Sequence, residues 1–203
     1  MSQATINTDA SSSYSIQKTD AAYATARGAA TGTSLNGGFV GSELSGTYSI
    51  YRHFMKFDLS TIPTNATITA LDFKCYFTSR DTNNDFTVVT SAHTAPNTTL
   101  TTAEFDALTV DSPTEYSARS ANASVISLNT YTTFSLNATA IAAAQALLGG
   151  ATYFKVACRS SRDVDNSTPT LRSYISLDAG DGSNPPQLVV TYDVPSAGGI
   201  III

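Results

Sequence analysis

Ala70-Leu71-Asp72-Phe73-Lys74-Cys75-Tyr76-Phe77 places Leu71, Phe73, Cys75 and Phe77 in one phase and Asp72, Lys74 and Tyr76 in the other. Side chains of an extended chain alternate between two faces, so this period of two is the pattern of a half-buried strand. Working outward, His53 to Leu59 repeats it with Met55, Phe57 and Leu59 on one face. So do Phe86 to Ser91, Thr132 to Leu136, Thr152 to Cys158, Leu171 to Leu177 and Gln187 to Tyr192, each bounded by turn-forming residues. One segment departs from alternation. Asn137 opens an Ala-rich run that ends at Gly149-Gly150, an N-cap and a C-terminal stop that predict a short helix over about 137–148. Many short strands and one helix predict an all-β fold, an antiparallel two-sheet β-sandwich of jelly-roll type. The single domain spans 14–194, with an N-terminal arm at 1–13 and a Gly/Ile tail at 195–203; Ala92 to Leu128, weakly periodic, reads as a long connection.

Composition agrees with this picture. The chain has 203 residues, of which 55 are Ser or Thr and 13% are charged, about half the usual globular share. Leu, Ile, Val and Phe contribute 44 residues, just above the level of roughly 20% below which chains fail to order. A net charge of −5 with scattered cations offers no phosphate-neutralising patch, which argues against nucleic acid as a partner. No stretch reaches the roughly 20 apolar residues of a membrane span. The first twenty residues lack the cationic start and apolar run of a secretory signal.

Tyr51-Arg52-His53-Phe54-Met55-Lys56-Phe57-Asp58-Leu59-Ser60-Thr61-Ile62-Pro63, followed by Asn65-Ala66-Thr67-Ile68, resembles the core motif of the DNRLRE-type domain family. Phe134-Ser135-Leu136-Asn137 before a helix and the closing Asn184-Pro185-Pro186-Gln187-Leu188-Val189-Val190-Thr191-Tyr192 follow in the family's order, so the resemblance covers about 14–193. It implies a jelly-roll domain in one of two settings. One is the single-domain form among bacteriophage structural proteins. The other is secreted multidomain proteins, some classed as carbohydrate-binding modules. The secreted members place Trp in the middle region, and Thr99 to Leu128 has none. The resemblance therefore implies a non-enzymatic virion structural protein, a capsid decoration or accessory protein or a tail-associated one. Its location would be the virion surface and its partners a major capsid or tail protein and copies of itself. The alternative is an extracellular carbohydrate-binding or adhesion module for host-surface glycans, or the subunit of an extracellular filament.

Candidate chemistry is sparse. His53 on its strand and His93 in a turn lie in no nucleophile motif, and both read as structural or surface residues, so no catalytic residue is assigned. Cys75 and Cys158 share faces with large apolar residues and read as buried thiols, with a disulfide open if their strands face each other. Two acidic loops, with Asp163 and Asp165 in one and Asp178 and Asp181 in the other, are candidates for calcium because hard cations take oxygen ligands. Tyr14, Tyr23, Tyr48, Tyr116 and Tyr131 are candidates for stacking on a sugar under the alternative reading. Ile200, Ile201, Ile202 and Ile203 are strong β formers at the chain end and candidates for an assembly contact.

Overall fold

The computed structural model describes residues 1–8, 13–35, 37–81, 86–91, 105, 113–119, 126–150, 153–170, 174–178 and 183–195. Among the described residues eleven strands and three short helices follow in chain order: β1 Ser2–Asn7, β2 Ser13–Asp20, α1 Tyr23–Arg27, β3 Thr33–Leu35, β4 Gly38–Ser45, β5 Thr47–Asp58 and β6 Thr67–Arg80. After these come β7 Phe86–Thr90, β8 Tyr131–Ser135, α2 Ala138–Gln145, β9 Tyr153–Ser160, α3 Ser161–Val164, β10 Tyr174–Leu177 and β11 Gln187–Asp193. Every strand pairing among the described residues is antiparallel, so the expectation of an all-β chain with a short helix after Asn137 holds. The Asn137 side chain accepts from Ala140 N at 3.1 Å, satisfying one of the amides that a helix start leaves unpaired. The helices α1 and α3, of five and four residues, are additions that a search for periodicity passes over. Ser2–Asn7, within the segment read as an N-terminal arm, forms a strand against β11. The tail residues 196–203, with Ile200 to Ile203, lie outside the described residues.

Two long strands organise the pairing by changing partners along their length. β6 pairs with β11 over Thr67 to Lys74 and with β8 over Asp72 to Tyr76, and its last residues, to Arg80, pair with β10. β5 pairs with β4 over Thr47 to Tyr51 and with β9 over His53 to Asp58, while β2 runs along its other edge. The main core gathers Met55 and Phe57 of β5, Leu71, Phe73, Cys75 and Phe77 of β6, and Phe86, Phe134, Phe154 and Leu188. Phe57 and Phe73 meet edge to face at 6.2 Å, and Phe86 meets Phe134 at 4.9 Å, geometries that aromatic quadrupoles favour.

Alternation along β5 does not stop at one buried face. Met55 and Phe57 point into the main core, whereas Ile50 and Phe54 join Ile16, Val89, Phe105 and Ala157 in a second cluster on the opposite side. From Ser49 to Phe57 every residue of β5 is buried, and that places Arg52, His53 and Lys56 in the interior. The polar groups at these three positions must therefore be satisfied by protein partners.

Candidate functional site

The described surface holds an aromatic pocket built around a glycine. Tyr174 on β10 stands opposite Gly41 on β4, and Gly41 in turn stands opposite Tyr51 on β5. With no side chain at the middle position, the two tyrosine rings close to 5.8 Å. Phe39, two residues before Gly41 and so on the same face, lies 6.0 Å from Tyr174 and 6.2 Å from Tyr51. β10 runs very close to the start of β4: a Cβ at Gly38 would meet Leu177 at 2.6 Å, so only glycine fits there. Glu43, two residues after Gly41, brings its carboxylate to the Tyr51 hydroxyl, which donates to Oε1 at 2.5 Å. Gln17 Nε2 on β2 donates to the Tyr51 hydroxyl at 3.1 Å and to Ser49 Oγ at 3.2 Å. Gln17, Leu35, Phe39, Glu43, Ser45, Tyr51 and Tyr174 line a cavity of about 340 Å³, open to solvent. It combines an apolar aromatic floor with a carboxylate and an amide at one side, the chemistry of a site for a flat-faced, hydroxyl-bearing ligand.

Behind the opposite face of β5 the charged residues form a closed cluster. Arg52 donates from Nε to Asp163 Oδ2 at 2.8 Å and from Nη2 to Asp163 Oδ1 at 2.9 Å, a two-pronged pair. Its remaining donors reach the carbonyls of Phe105 and Arg27 at 2.8 and 2.9 Å, and its guanidinium lies 4.1 Å from the Phe105 ring centre. Arg159 Nε donates to Asp163 Oδ2 at 2.8 Å, and Arg27 Nε donates to the Asp163 carbonyl at 2.6 Å. Arg52, Arg159 and Asp163 have no exposed surface, and Arg27 has 5%. Burial alone would raise the Asp163 carboxyl; the Arg52 and Arg159 guanidiniums overcome it and hold the group well below the usual carboxylate range. Ser160 caps α3 by accepting from Asp163 N, which aims that carboxylate inward. The cluster ties α1, β5, β9, α3 and Phe105 together.

His53 faces the other way, into the polar end of the main core. Its Nε2 lies 2.9 Å from Ser13 Oγ and its Nδ1 2.9 Å from Ser15 Oγ. Full burial pushes its pKa down to about 3, so the ring is neutral at ordinary pH. Both ring nitrogens are occupied by hydroxyls of the adjacent strand. His93 lies outside the described residues.

The other residues singled out from sequence are dispersed. Tyr23 is buried, donates to the Arg162 carbonyl at 2.9 Å and meets Tyr48 edge to face at 5.8 Å. Tyr14 packs beside the second cluster, and Tyr131 donates to the Pro185 carbonyl at 3.0 Å while packing against Tyr76. Tyr116, 6% exposed, stacks on Phe154 at 5.7 Å and lines a separate cavity of about 360 Å³ with Tyr153, Lys155 and Leu147. None of the five joins the pocket of Phe39, Tyr51 and Tyr174. The calcium expectation is corrected at Asp163, whose carboxylate is consumed by arginines in the interior. Asp165 pairs with Arg119, Asp178 accepts from Asn184 N at 3.1 Å, and Asp181 lies outside the described residues. Among the described residues no group of three or more His, Cys, Asp or Glu is placed to hold a metal. Cys75 and Cys158 are buried free thiols, both pushed up by burial, as the apolar faces of their strands implied. No helix among the described residues is long and apolar enough to cross a membrane.

Comparison with known proteins leaves the functional reading to this geometry. No protein-family model matches the sequence, and no curated protein matches it either.

Proposed function

We propose that this chain is a non-enzymatic structural protein of a bacteriophage particle, a head decoration or accessory protein or a tail-associated one, acting through protein–protein packing. The jelly-roll arrangement belongs to the same proposal, with β1, β11, β6 and β8 as one layer and β3, β2, β5, β9 and β7 in the other. The observation that carries it is where the charge sits. Among the described residues four cationic side chains, Arg27, Arg52, Lys56 and Arg159, are buried, against two carboxylates, Glu43 and Asp163. The described interior thus holds a surplus of two positive charges. Charge is spent on bracing the interior, and the surface keeps few cations and many hydroxyls. Short hydroxyl side chains lose little conformational freedom when packed beside copies or on a shell, and a surface poor in cations gives little purchase to nucleic acid. The sequence resemblance supplies the phage setting. The test is removal: particles made without the chain should assemble and take up the purified protein when it is added back. Failure of purified protein to bind such particles would contradict the proposal.

The aromatic pocket favours a second reading, a module that binds a glycan over Phe39, Tyr51 and Tyr174. A glycan array with the purified chain tests it. Binding abolished by Tyr174→Ala would support it; a blank array, or binding indifferent to Tyr174→Ala, would oppose it.

A further inference from the structure

We propose that β1 is a self-complementary edge that pairs antiparallel with β1 of a second copy about a two-fold axis. This inference rests on the assembly reading and names its contact. Among the described residues β1 has β11 as its only ladder neighbour. Thr8 N donates to the Pro186 carbonyl at 2.9 Å, which fixes the phase: Ile6, Ala4 and Ser2 direct their backbone groups to Leu188, Val190 and Tyr192 of β11. The intervening residues Gln3, Thr5 and Asn7 therefore direct their N–H and C=O groups to the open side, and all three are exposed.

Sheet proteins usually blunt such an edge with charge, proline, a bulge or a covering segment. The edge of β7 is covered in this way: Thr90 N donates to the Thr114 carbonyl and Tyr116 N to the Val88 carbonyl. β3 is only three residues long. Ser2–Asn7 has six residues, carries no charged side chain and no proline, and pairs with β11 without a bulge. Its register answers its own reverse. With Thr5 opposite Thr5 of the second copy, Gln3 faces Asn7 and Asn7 faces Gln3, so all three outward residues on each strand form hydrogen-bonded pairs. Opposed threonines pair favourably, and no like charges meet. Ala4, half-buried, and Ile6, buried, lie on the inner face and come opposite Ile6 and Ala4 of the second copy, continuing one apolar stripe across the joint. A two-fold contact of this kind is closed and isologous.

The experiment is amide hydrogen exchange and sedimentation on the full chain across a concentration series. The expected result is a concentration-dependent dimer in which the Gln3, Thr5 and Asn7 amides become protected as dimer forms. Thr5→Pro removes an outward N–H without costing a bond to β11, so it should abolish dimer and leave the monomer melt unchanged. Thr5→Lys sets like charges opposite each other and should do the same at low salt. A chain ending at Pro195 should still dimerise. The proposal is overturned if the chain stays monomeric throughout, if dimer survives both Thr5 variants, or if removal of residues 196–203 abolishes it. Particles that take up the protein with those three amides unprotected would retain the assembly reading and overturn this edge.

Discussion

Asp163 is the residue on which the interior depends most. Its carboxylate meets Arg27, Arg52 and Arg159, at 3.5, 2.8 and 2.8 Å. Removing one member of a buried charge group leaves the others uncompensated, typically at a cost of about 3–5 kcal/mol. Asp163→Asn should therefore lower stability by at least about 3 kcal/mol in a denaturant titration. Arg119→Ala, which breaks the partly exposed pairs with Glu115 and Asp165, should change it by no more than about 1 kcal/mol. His53 gives the molecule an acid limit. Its folded pKa of about 3 lies below its ordinary 6.5, so folding favours the neutral ring. The stability this contributes is complete above about pH 6.5 and is lost as pH falls from there toward 3. The Asp163 contribution runs in the same sense at lower pH, being lost as the medium becomes acid enough to protonate it. Melting temperature should fall steadily between pH 6.5 and pH 3, and His53→Asn should flatten the upper part of that profile. A His53→Asn profile as steep as the parent's would assign the acid limit elsewhere.

Among the elements, those with one apolar phase were legible in the sequence and those buried on both faces were not. β6 and β8 alternate cleanly because one side packs on the core and the other carries Asp72, Lys74 or Thr133. β5 shows Met55 and Phe57 to a pattern search, yet its Arg52 and Lys56, charged residues in the other phase, are interior. Burial of an arginine depends on a carboxylate 111 residues away, a relation that no local period contains. For the same reason Asp163 reads as a calcium ligand in Asp163-Val164-Asp165-Asn166-Ser167, where Asp165 follows it; in space its carboxylate meets Arg52 of β5 and Arg27 of α1 as well as Arg159. The pocket was missed because its three rings come from β4, β5 and β10, and the signal that joins them is the absence of a side chain at Gly41. Gly41→Val tests that role. A branched side chain there should separate Tyr51 from Tyr174, reduce the near-ultraviolet dichroism of the tyrosines and remove any glycan binding, while far-ultraviolet dichroism stays that of a β protein. Unchanged near-ultraviolet dichroism would mean that the rings do not depend on the glycine gap.

For the whole molecule, the low charge and high hydroxyl content apparent in the composition acquire a location. The braced interior takes four cations, and threonines and serines populate exposed strand positions such as Ser2, Thr5, Thr67, Thr133 and Ser135. A domain so arranged has a rigid frame, a surface poor in cations and one long edge without charge, the properties required of a subunit that packs repeatedly beside its own kind. The most direct measurement is quantitative mass spectrometry of intact particles purified from the source. This chain is expected in many copies per particle, at a fixed ratio to the major shell or tail protein, after washing in high salt. Its absence from the particles, or a trace amount that washes away, would contradict it.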